Sequence, residues 1–172
     1  MGLKLNREKT RILNLREAGR GLDFLGYTFR YDRSLKGEGR YVNLFPSAKA
    51  MARKREEIRD LTGRHCSPKL IDLIGRLNEL LISGFRYYTH GYPSKAFASM
   101  DWFVQVRLRR FLRNRSQRKM RIPTGMTQYT WLASLGLLRL SDPTVVRYLR
   151  GQGDLPVVCR RAGCGKSARP VR

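Results

Sequence analysis

Acidic residues are scarce in this chain: 13 Asp and Glu stand against 36 Lys and Arg, a net charge of +23 over 172 residues. Such a surplus repels itself unless anions bind, which makes nucleic acid the default partner. Cysteine is also sparse. Three residues at irregular spacing exclude a disulfide framework and fit a reducing, cytoplasmic setting. The N-terminal MGLKLNREKTR is charged where a secretory signal needs an apolar run, and no apolar stretch approaches the ~18 residues that span a bilayer. No membrane partner is expected. Charge alone decides neither RNA against DNA nor sequence preference, and a ribosomal-type or non-specific binder fits it equally well.

What is present is enough apolar residue, 41%, to bury a core in one domain or two small ones. The most informative stretch is Gly84 to Lys119, GFRYYTHGYPSKAFASMDWFVQVRLRRFLRNRSQRK, where aromatic residues lie beside a run of arginines. Pro93 and Ser94 mark a helix start. Phe97, Met100, Val104, Leu108 and Phe111 then recur at the three- and four-residue steps of a buried helical face. Trp102, Val106, Arg109 and Arg113 share the opposite side, and Arg107, Arg110, Arg115, Arg118, Lys119 and Arg121 extend the charge around it. Guanidinium groups pair with phosphates and stack on bases, so the mixture suits RNA better than a membrane. The candidate RNA contacts are Arg107, Arg109, Arg110, Arg113 and Lys119, with Trp102 and Tyr87 as stacking partners.

The remaining segments predict an α+β chain: a short N-terminal antiparallel β segment, then a mainly α-helical basic bundle. Over residues 1–46, GLDFLGYTFRYD and RYVNLFP bracket the turn-rich SLKGEG, giving two strands and a hairpin-like connection that need further sheet or the following helices for stability. Ser47 caps a helix to Thr62 with Met51, Ile58 and Leu61 inward. Its basic face contributes Arg53 as a further RNA candidate, although a charged helix face is most often simply solvated. Ser67-Pro68 opens a second helix with a stripe of Leu70, Leu73, Ile74, Leu77, Leu80 and Leu81, and Gly84 and Gly91 loosen the chain around FRYYTH. Thr127 to Leu140 reads as one more helix, with Trp131, Leu135 and Leu138 inward, and Asp142-Pro143 starts a brief one through Leu149. Residues 141–172 close the chain as a basic tail, disordered unless bound.

Two chemical motifs fail on spacing. GCGKS at 163–167 lacks the phosphate-loop glycine where Arg160 stands, and Cys159 and Cys164 with His65-Cys66 do not make regular zinc pairs. No metal site is expected. His90 in a Gly-flanked loop is as readily an exposed residue as a phosphate contact, and Tyr87, Tyr88 and Tyr92 are as readily packing residues as a stacking platform.

The order LKLNREKT, then FLGYTFR, then GFRYYTHG and FASMDWFVQVRLRRFLR resembles the C-terminal part of group II intron-encoded reverse transcriptase/maturases, over residues 2–125. That resemblance implies the end of a polymerase palm over 1–46 and a helical thumb with the maturase-specific module over 47–140. It sets Lys9 near an incoming nucleotide, and Phe24, Leu25, Gly26 and Tyr27 in a primer-grip-like turn. The partner it implies is group II intron RNA, whose folding and splicing such proteins assist. The family's paired metal-binding carboxylates have no counterpart, since Asp23, Asp32, Asp60, Asp72 and Asp101 are scattered single acids. No catalytic residue and no cofactor are therefore assigned to this chain, and Mg²⁺ is expected only with a complete polymerase or the intron RNA. Two other readings remain: one piece of a split reverse transcriptase that needs a separately encoded N-terminal fragment, and a decayed, non-specific nucleic-acid binder.

Overall fold

The computed structural model describes residues 12–17, 20–34, 37, 39–63, 68–115 and 122–154. Its sheet has three antiparallel strands in the order β1 (Gly21–Phe24), β2 (Tyr27–Arg33) and β3 (Arg40–Pro46). The sequence reading took GLDFLGYTFRYD as one strand. The chain instead reverses at Leu25-Gly26, where φ is 49° and 81°, so Phe24 pairs with Tyr27 and Leu22 with Phe29. Two successive positive φ values make the mirror-image turn whose twist matches a tight hairpin, and a leucine there is strained where a glycine is not. Gly26 is required for space as well: an added Cβ would lie 2.7 Å from the Tyr88 hydroxyl.

The hairpin register puts Leu22, Phe24, Tyr27, Phe29, Val42 and Leu44 on one sheet face. Tyr27 is buried and Phe29 and Leu44 pack against the core, while Leu22, Phe24 and Val42 stay exposed. Five α-helices follow among the described residues: α1 (Ala48–Leu61), α2 (Leu70–Phe85), α3 (Ser94–Arg115), α4 (Gln128–Ser134) and α5 (Pro143–Leu149). The α+β class with a mainly helical C-terminal part is as the sequence indicated. Ser47 caps α1 by accepting from Ala50 N at 3.2 Å, and its own N–H donates to Gly26 O at 2.8 Å, which ties the hairpin turn to the first helix. The helical core takes Ile58 from α1, Leu73, Ile74, Leu77 and Leu81 from α2, and Phe97, Met100, Val104, Leu108 and Phe111 from α3. Helix α2 runs through Gly84 without a break, and Gly91 closes the next loop on β3, with Tyr92 N donating to Leu44 O at 2.9 Å.

The helix expected from Thr127 to Leu140 stops at Ser134. Gly136 has φ 97°, Leu137 N donates to Leu132 O at 3.1 Å and Gly136 N to Ala133 O at 2.9 Å, the paired bonds that end a helix on a left-handed glycine. Leu132 rather than Trp131 is its fully buried residue, and Leu138 reaches the core from the segment beyond.

Two buried polar side chains hold that segment down. Asn78 of α2 donates to Gly136 O at 2.7 Å and accepts from Leu138 N at 2.9 Å. Asp101 of α3 accepts from Leu140 N at 2.8 Å and Ser141 N at 2.9 Å. Burial pushes the Asp101 carboxyl above the ordinary range, against the opposing pull of Ser141, Leu140 and Arg139. Asp101→Ala strands two backbone donors and should cost about 2 kcal/mol or more in denaturant unfolding. A raised folded pKa means that stability from this group is fully present below the unfolded pKa and lost as pH rises through the folded one. Asp101→Asn should therefore lose ground to the native chain as pH falls from neutral to mildly acidic, and a gap that is flat with pH would contradict this.

Candidate nucleic-acid interface

Helix α3 is long enough to serve the core and the surface at once. With Phe97, Met100, Asp101, Val104, Leu108 and Phe111 turned inward, the 3.6-residue period leaves Trp102, Arg109, Arg110 and Arg113 exposed, Trp102 at 67%. The arginines then divide by what they touch. Arg107 reaches the end of α1, where its Nε donates to Thr62 Oγ1 at 2.9 Å and a terminal nitrogen lies 3.3 Å from both Arg59 O and Thr62 O. There it caps helix carbonyls that would otherwise face solvent. Arg109 Nε donates to Gln128 Oε1 at 2.6 Å, linking α3 to α4. Arg110 and Arg113 have no hydrogen bond or ion pair among the described residues.

Arg107, Arg110 and Arg113 line one recess of about 350 Å³ with Thr62 and Asn114. The i, i+3, i+6 spacing winds them across one side of the helix. None of the lining residues is acidic. Partial burial lowers the Arg107 pKa, and the neighbouring Arg110 and Arg59 charges lower it further. The Glu56 carboxylate opposes them. Three guanidinium groups around one recess can take an anion with several acceptor oxygens.

A second concavity, of about 810 Å³, lies between the β1–β2 turn and helices α1 and α2. Leu25 and Gly26 of the turn, Lys49 and Arg53 of α1, and Tyr87 line it. The turn and the tyrosines are one packed unit: Tyr27 Oη donates to Tyr87 O, and Tyr87 Oη donates to Leu25 O at 3.2 Å. Tyr27, Tyr87 and Tyr88 have ring centroids 5.1 to 5.2 Å apart. Burial raises the pKa of both Tyr27 and Tyr88, whereas Tyr87 stays 51% exposed. Tyr88 is thus a packing residue, and Tyr92 packs edge-on against Tyr41 at 5.1 Å. His90 lies apart, in a recess of about 490 Å³ with Arg86 and Arg150.

The structure therefore sorts the sequence candidates into three groups. Arg107, Arg110 and Arg113 meet in the α3 recess; Arg53, Tyr87, Leu25 and Gly26 meet in the hairpin groove; Trp102 and Arg109 sit on the outer side of α3. Phe24 is exposed on β1 and Tyr27 is buried behind the turn. Lys9 and Lys119 lie outside the described residues, as do the cysteines and the GCGKS segment. Asn114 and Lys49 were missed as site residues. Lys49 stands four residues before Arg53, a spacing that put them on one helix face and was open to reading.

A family model described as "Group II intron, maturase-specific domain" matches residues 51–129. The match runs from the first turns of α1 to the start of α4 and so includes Arg53, Tyr87, Trp102 and every arginine of α3. No curated protein and no solved structure gives a significant match. Among the described residues no helix is long and apolar enough to cross a membrane.

The division of the arginines is testable by thermal unfolding. Arg107→Ala removes charged hydrogen bonds to the α1 terminus and should destabilise by about 1–3 kcal/mol. Arg110→Gln should stay within about 0.5 kcal/mol of the native chain, since it gives up no protein partner. Equal losses at the two positions would contradict the assignment.

Proposed function

We propose, from the group II intron maturase-specific domain that residues 51–129 form, that this chain binds structured group II intron RNA and helps it reach its splicing-competent fold. The observation that carries the reading is the α3 recess, where Arg110 and Arg113 stand beside Arg107 with no acidic residue in the lining. Phosphate oxygens supply the missing counter-charge in bidentate geometry, and release of condensed counterions adds affinity. Arg109 and Trp102 extend the contact along the outer side of α3, with Lys119 following in sequence. Arg53 and Tyr87 form a separate contact at the hairpin groove. Residues 47–140 are the RNA-binding unit on this reading and 1–46 the end of a palm, whereas of the tail expected over 141–172 the stretch Pro143–Leu149 is helix α5, with Val145 and Leu149 in the core.

The chain itself supplies no bond-breaking chemistry in this scheme: the RNA and its Mg²⁺ ions carry splicing. The described acids Asp23, Asp32 and Asp101 are engaged within the fold. Thr28 Oγ1 donates to Asp23 Oδ1, Asp32 is held by Arg30 and Asn43 at 2.6 Å each, and Asp101 is spent on backbone N–H groups. Neither the fold nor the family match supports a separately encoded N-terminal fragment as a partner.

The test is intron RNA binding across a salt series for the native chain and for Arg110→Gln/Arg113→Gln. Loss of two phosphate contacts should weaken binding and reduce the slope of log affinity against log salt by roughly two. An unchanged slope would remove these arginines from the interface.

A further inference from the structure

The groove beneath the β1–β2 turn is chemically unlike the α3 recess. Lys49 and Arg53, one helical turn apart on α1, line it as cations with no carboxylate partner among the described residues, whereas their neighbour Lys54 is paired with Glu57 at 2.6 Å. Asp23 also lines it. One carboxylate oxygen of Asp23 accepts from Thr28 Oγ1, which leaves the other open as a hydrogen-bond acceptor. Between these charges the wall is Leu25, Ala50 and the half-exposed Tyr87 ring.

The turn side of the groove is held by Tyr87 Oη, which donates to the Leu25 carbonyl at 3.2 Å. The volume of about 810 Å³ falls in the range of sites that enclose a small molecule. A bare phosphate track would gain nothing from a carboxylate and would be repelled by it. A ligand that suits all three features has an anionic group, a flat apolar body and hydrogen-bond donors beyond it.

We propose that this groove holds one unpaired ribonucleotide, with its phosphate on Lys49 and Arg53, its base against Tyr87, and a ribose hydroxyl or base amino group donating to Asp23. A base-paired nucleotide cannot present its face to Tyr87, because both faces are stacked in the helix. The groove therefore reads a loop, bulge or strand end, while the α3 recess takes backbone phosphates of structured RNA. The inference rests on the RNA-binding reading above and adds to it a site with a different ligand.

The sign of the Asp23 effect separates this from plain electrostatics. Fluorescence anisotropy would compare a short unstructured oligoribonucleotide with the same sequence as a duplex, using the native chain, Lys49→Gln/Arg53→Gln and Asp23→Asn. The double variant should weaken single-strand binding roughly tenfold and duplex binding by about twofold or less, tenfold corresponding to about 1.4 kcal/mol. Asp23→Asn makes the protein more positive, yet it should weaken single-strand binding by roughly threefold or more and leave the duplex unchanged or slightly tighter. If Asp23→Asn tightens both forms alike, the groove is only a basic surface and the proposal is overturned. Structured RNA that binds through Arg110 and Arg113 while single strands ignore all three groove residues would overturn this inference alone. No salt-dependent binding of either form would overturn both readings.

Discussion

The burial of one face of α3 is the constraint on which the rest of this structure depends. Phe97, Met100, Val104, Leu108 and Phe111 hold so basic a helix against the core it shares with α1 and α2, and each is at most 5% exposed. Each square ångström of apolar surface they remove from water contributes roughly 25 cal/mol. Asp101 on the same face fixes residues 140 and 141 by their backbone, and Arg107 at its edge closes the end of α1. The end of α1 and the segment after α4 are thus both referred to α3.

The ion pairs among the described residues are local, so they leave most of the positive charge in place. Glu17 pairs with Arg20, Asp32 with Arg30, Glu57 with Lys54 and Glu56 with Arg59, all within three residues in sequence. Exposed pairs of this kind contribute about 0–1 kcal/mol each and neutralise little beyond their own partner. Arg55 and Arg59 lie over the Phe103 ring at 5.8 and 5.4 Å, where the ring takes the role of an anion. What remains is a surface rich in unpaired positive charge, and it falls largely within residues 51–129, which match the group II intron maturase-specific domain.

Periodicity made the helices legible: Ser47, Met51 and Ile58 in α1, the leucine stripe of α2 and the inward face of α3 all follow from spacing alone. Turns were harder, because a single glycine decides them. Leu25-Gly26 divides one apparent strand into two, and Gly136 stops α4 six residues before Leu140; in both places neighbouring apolar residues hid the break. Arg107 shows the other limit of a one-dimensional reading. Its neighbours in sequence place it among the RNA candidates, whereas its guanidinium is occupied by Thr62 and Arg59, some 45 residues away along the chain. The joining of Arg53 to Tyr87 around the hairpin turn was equally out of reach, since it depends on how three elements pack.

The most direct measurement is the affinity for a group II intron RNA, set against an equally long unrelated structured RNA, at two salt concentrations. The account predicts a preference for the intron RNA that persists at the higher salt, because a rigid arrangement of arginines reads shape as well as charge. Equal affinities that collapse together as salt rises would contradict it, and would leave the net charge of +23 as the sole source of binding.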